Sequence, residues 1–159
     1  MSVWGALAGG AVGGVVLTVG YELFQVAGLT RIDLPLILGT AFTEDRDRAR
    51  AIGYAVHLAN GLLFALVYAA VFAATGRAGW LFGLVLGAVH AGFVGGSLMN
   101  VILPAVHPRM GKPWTDASAI PLLEPPGFML RNYGGSTMAV TLALHLAYGA
   151  IVGAFAAGL

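Results

Sequence analysis

Three stretches of this chain, Ala51 to Thr75, Ala78 to Leu103 and Ser136 to Ala157, contain no Asp, Glu, Lys or Arg, and a fourth, Val3 to Gly28, contains only Glu22. Each is longer than the roughly 20 apolar residues a helix needs to cross a hydrocarbon layer about 30 Å thick. Composition points the same way. Hydrophobic residues make up 58% of the chain and charged ones 9%, with a mean hydropathy of +0.86, whereas a soluble domain is about one-quarter charged. The chain therefore reads as an all-α integral membrane protein, one domain over residues 1–159, with transmembrane helices at about 3–28, 51–75, 78–103 and 136–157. Residues 29–50 and 104–135 are left as interfacial loops. The first run is too long and too glycine-rich for a cleaved signal segment and lacks a basic region ahead of it, so it reads as a retained helix.

A net charge of +1 with no concentrated basic face excludes nucleic acid as a partner. The absence of cysteine removes disulfides, thiolate metal sites and cysteine nucleophiles. No HExxH, phosphate loop or nucleophile elbow is present. Helix geometry gives no support to a triad of Ser97, His145 and Glu22. Arg31, Arg46, Arg48 and Arg50 fall in the first long loop, and Arg109, Lys112 and Arg131 in the second, against Arg77 alone between the middle helices. By the positive-inside rule both long loops are expected in the cytoplasm and both termini outside it, in a bacterial inner membrane.

"HLANG" at His57 to Gly61 and "HLAYG" at His145 to Gly149 occupy matching frames, and the offset of about 88 positions that superposes them also aligns Ile32 with Ile120, Leu34 with Leu122 and Gly39 with Gly127. Trp4 and Trp80 open the other two helices. This predicts two tandem helical hairpins related by a pseudo-two-fold axis along the membrane normal. Small residues recur every fourth position at Gly9/Gly13, Gly10/Gly14, Gly83/Gly87 and Gly149/Gly153, stripes that let helix backbones approach closely in lipid.

Polar residues inside the spans are the functional candidates, because an ionised group at mid-bilayer costs about 2.5 kcal/mol or more. Glu22 continues the Gly10, Gly14, Thr18 stripe, at roughly 9 Å inside the loop-side boundary, and His57 and His145 lie at about 12 Å by the helical rise. Together with Tyr54, Asn60 and Asn100, and with Tyr21, Ser97 and Tyr148 as further contributors, they form an expected intramembrane polar layer. His90 reads as a lone core histidine in the opposite half. His57 and His145 at equal depth are also the arrangement that bis-imidazole ligation of a haem b requires, with Gly53, Gly61 and Gly149 leaving space and Glu22 accepting from the first ring. No other metal site is expected.

The loops are unusual connectors. "RIDLPLILGTAF" and "SAIPLLEPPGFML" are apolar and interrupted by proline, and should lie at the interface or re-enter shallowly. Trp114 and Tyr133 suit an aromatic belt. "TEDRDRAR" reads as a helix start with Thr43 as N-cap. Four helices with an acid in the first also occur in small multidrug transporters, which are shorter; the likeness ends at Glu22 and carries no activity over.

The expected function is non-enzymatic: a scaffolding or accessory subunit of a larger membrane complex, without a cofactor, associating with the bilayer and with other membrane subunits or a second copy of itself. Two alternatives stand beside it, a proton-coupled small-solute carrier using Glu22 and a haem b-binding bundle ligated by His57 and His145.

Overall fold

A computed structural model describes residues 1–111 and 123–158, and among them it is helical with no strand. Four spans are long and apolar enough to cross a membrane: α1 (Val3–Val26), α3 (Arg46–Thr75), the third span (Trp80–Val106) and α6 (Thr137–Ala157). The protein is a multi-pass helical membrane protein by the length and composition of these spans. A short helix, α2 (Leu34–Gly39), lies in the first loop. The third span begins as α4 (Trp80–Phe93), widens to a π-helix over Val94–Ile102, and closes as α5 (Leu103–Val106).

Local chemistry explains the boundaries. Ser2, Asp33 and Asp45 cap α1, α2 and α3 by accepting from Gly5 N, Leu36 N and Arg48 N respectively, each satisfying a backbone donor that the first turn leaves free. The third helix thus starts at Arg46 rather than Ala51, and its cap is Asp45 rather than Thr43. Thr43 instead accepts from Asp45 N in the turn ahead of the helix. Its arginines are drawn into the helix, as a 30-residue span can carry its first turns beyond the hydrocarbon. In the third span Pro104 has no N–H, and its ring crowds the carbonyl one turn earlier. The widened turns relieve that conflict, with Leu103 N bonding Leu98 O five residues back.

The bundle has tight seams and one wide seam. Along α4 and α6, Gly83 faces Gly149 and Gly153 faces Gly79, so closely that a Cβ on Gly83, Gly149 or Gly153 would strike backbone. Gly9 and Gly13 of α1 abut Val152 and Tyr148 of α6, and Gly10 abuts Ala65 of α3. The glycine stripes are thus used within the chain. Between α3 and α4 rings stand in place of backbone contact: Phe72 lies 5.8 Å from Phe82, and Phe64 lies 3.9 Å from His90. The close α1–α6 seam has no such counterpart between α3 and α4. Nor do the aligned loops match where both are described: Gly39 ends α2 against Ala49, whereas Gly127 has φ of 72° ahead of a 3-10 turn. Ile120, Leu122, Lys112 and Trp114 lie outside the described residues.

The loops pack on the bundle at one end. Leu34, Pro35 and Ile37 of α2 are buried, and Pro35 O presses on Gly53 of α3. The second loop meets the first through Arg31 N donating to Tyr133 O at 2.8 Å, Ser136 donating to Leu29 O, and the Thr30 and Thr137 hydroxyls 2.8 Å apart. His107, past the end of α5, is buried: Nε2 donates to Ile37 O at 2.9 Å and Nδ1 accepts from Arg109 N at 3.1 Å. Arg109 reaches Thr40 O and, at 3.4 Å, Glu44. Arg50 pairs with Asp33 at 2.7 Å. Tyr133 donates to Glu124 O, and burial followed by the Glu124 charge pushes its phenol up to about 12.

A histidine-lined cavity at the wide seam

The polar layer forms where α3 and α4 are held apart. His57 of α3, His90 of α4 and His145 of α6 line a cavity of about 70 Å³, together with Asn60, Phe64 and Tyr148. Leu34 and Leu38 of the first loop and Leu130 of the second line it from the loop side. His90 and His145 meet edge-to-face with centroids 4.7 Å apart. Such an edge-to-face contact is a favourable ring arrangement.

The hydrogen bonds assign the tautomers of two rings. His145 Nδ1 lies 2.8 Å from Thr141 O; a carbonyl only accepts, so Nδ1 carries the proton and Nε2 the lone pair. Thr18 donates its hydroxyl to Gly14 O at 2.7 Å and lies 2.7 Å from His57 Nδ1. With the threonine proton spent on its own helix, His57 Nδ1–H donates to Thr18, and His57 too presents a bare Nε2. Among the described residues neither Nε2 has a protein partner. Tyr21 donates to Thr141 Oγ1 at 2.8 Å, Tyr148 donates to Gly61 O, and the Tyr68 hydroxyl lies 3.4 Å from His90 Nδ1. Asn60 lines the cavity with its amide free of any hydrogen bond.

The structure does not bring all the expected polar residues together. His57, His145, Asn60, Tyr21 and Tyr148 line the cavity. Glu22 does not: it is half-buried near the loop end of α1, and Thr18, one turn earlier, holds His57 in its stead. Four-residue steps on a helix drift by about 40° each, so by Glu22 the stripe begun at Gly10 has turned roughly 120° away from its starting face. Tyr54 is 38% exposed and faces outward, Ser97 is exposed, and Asn100 bonds Gly96 O of its own helix at 3.4 Å.

His90 was missed as a member. It lies ten residues past Trp80, about 15 Å along the axis from the face opposite the loops. In a 30 Å layer that is mid-depth, and there it meets His145 of α6 edge-to-face.

The three glycines expected beside a haem have neighbours within this chain. Gly53 abuts Pro35, Gly61 abuts Gly10 and Gly14, and Gly149 abuts Gly83. Among the described residues no cluster of three or more His, Asp or Glu side chains is arranged to hold a metal ion. No protein-family model matches the chain, and neither the curated proteins nor the solved structures contain a match to it.

Proposed function

We propose that this protein binds and carries a small solute through the histidine-lined cavity, with His57 and His145, rather than Glu22, contacting the solute. The observation that supports this reading is that His57 and His145 line one cavity and that, among the described residues, the Nε2 atom of each has no protein partner. Intramembrane polar groups are costly and are normally paired; acceptors left open around a void suit a ligand. The wide α3–α4 seam supplies the space, and the loop residues at its end supply a barrier on one side.

Scaffolding, for which the apolar interfacial loops and the small-residue stripes spoke, is the second reading; Gly9, Gly10, Gly83 and Gly149 of those stripes pack against helices of this same chain, which favours the carrier. The localisation accompanying the proposal is a bacterial inner membrane with the long loops cytoplasmic, from the arginine distribution.

The test is stopped-flow light scattering on proteoliposomes given inward gradients of solutes of up to five heavy atoms. Faster re-swelling than protein-free vesicles is expected for at least one solute, slowed by His57→Phe. Re-swelling equal to that of empty vesicles for every solute, at every pH from 5 to 8, would refute the proposal.

A further inference from the structure

The chemistry of the cavity wall narrows the solute class; this step rests on the carrier reading above. Two ring nitrogens offer lone pairs, and the Asn60 amide offers N–H donors and an oxygen acceptor. Among the described residues no carboxylate lines the cavity, so none balances the charge of a bound cation; His90, with the Tyr68 hydroxyl 3.4 Å from its Nδ1, and the hydrogen-bonded Tyr21 and Tyr148 complete an otherwise aliphatic and aromatic wall. An ion stripped of water there meets a large desolvation cost. A void of about 70 Å³ is roughly half that of an engineered apolar cavity that admits benzene. It suits a handful of heavy atoms.

We infer that the ligand is a small uncharged primary amide, whose two N–H groups donate to His57 and His145 Nε2 and whose carbonyl accepts from the Asn60 amide. The count of groups favours an amide over an apolar gas, which uses none of them, and over an ammonium, which brings donors and a charge but no acceptor. A ligand that leaves such groups unpaired is discriminated against strongly. Few contacting atoms limit the affinity, so binding is best read at millimolar ligand.

The experiment uses the full chain in nanodiscs and three probes: acetamide, methylammonium and xenon. Saturable acetamide binding is read by NMR line broadening, methylammonium likewise, and xenon by its own chemical shift. Acetamide should saturate, and His57→Phe and Asn60→Leu should each weaken it at least tenfold while xenon still binds, which reports that the cavity survives substitution. Xenon binding without acetamide binding would overturn the amide assignment and leave the cavity intact. Methylammonium saturating in place of acetamide would overturn the requirement for an uncharged ligand. Binding of none of the three to the wild-type protein would overturn the assignment together with the carrier reading.

Discussion

Replacing Gly149 by alanine probes the packing that sets the cavity's position. An ideal Cβ on Gly149 would strike Gly83 O, with Gly87 N at 2.9 Å and Gly83 C at 3.0 Å. These atoms are backbone and cannot rotate aside, so α4 and α6 must part by roughly 1 Å to reach ordinary contact distance, an overpacking that costs about 1–3 kcal/mol. Gly92→Ala is the matched control, because a Cβ there meets nothing within 4 Å and any gain in helix propensity, up to about 1 kcal/mol, is common to both variants. Reversible unfolding in mixed micelles of increasing SDS content, followed by far-ultraviolet circular dichroism, gives the difference directly. Gly149→Ala should be less stable than Gly92→Ala by about 1–3 kcal/mol. Equal stability of the two variants to within about 0.5 kcal/mol would refute the backbone-contact account of the α4–α6 seam, since surface changes alone fall within that range.

At the start of α3, Asp45→Ala should cost about 0.5–2 kcal/mol, as expected for losing an N-cap, and Thr43→Ala distinctly less; the same unfolding assay checks the order, and a larger effect at Thr43 would return the cap to that residue. His107 gives a pH dependence with a defined sign. Burial holds it below the ordinary histidine range, the Ile37 carbonyl opposes this in part, and the Arg109 charge adds to the lowering. The unfolded chain therefore binds the proton first. The His107 contribution to stability is level above pH ~6.5 and falls as the pH drops below it, by at most about 1.4 kcal/mol per pH unit. His107→Asn should flatten the slope between pH 6.5 and 5.5 relative to wild type; an unchanged slope would show that the ring does not stay neutral between the loops.

The four spans were legible in the sequence because hydrocarbon admits few alternatives: a long uncharged run must be a helix with its backbone satisfied internally. The polar cavity was partly legible. His57 and His145 stood out as costly residues in apolar surroundings, and Thr18 lay on a visible stripe. Which polar residues converge was not, because that depends on helix rotation and starting point. The drift of the four-residue stripe turns Glu22 aside, and Thr18 meets His57 in its place. The loop-side closure was less legible still. Leu130 is fully buried with φ of 60°, and Met129 beside it has φ of 54°, conformations that side chains of this kind rarely adopt. Their local sequence does not demand them; packing beneath the bundle does, and it fixes Leu130 against the cavity.

Nitrogen-15 NMR of histidine-labelled protein in lipid bilayers at neutral pH tests the open acceptors most directly. His57 and His145 should each show a protonated Nδ1 and an unprotonated Nε2, and both Nε2 signals should shift as acetamide saturates the cavity. Protons on Nε2 of both rings, or Nε2 signals that no small solute perturbs, would contradict the account.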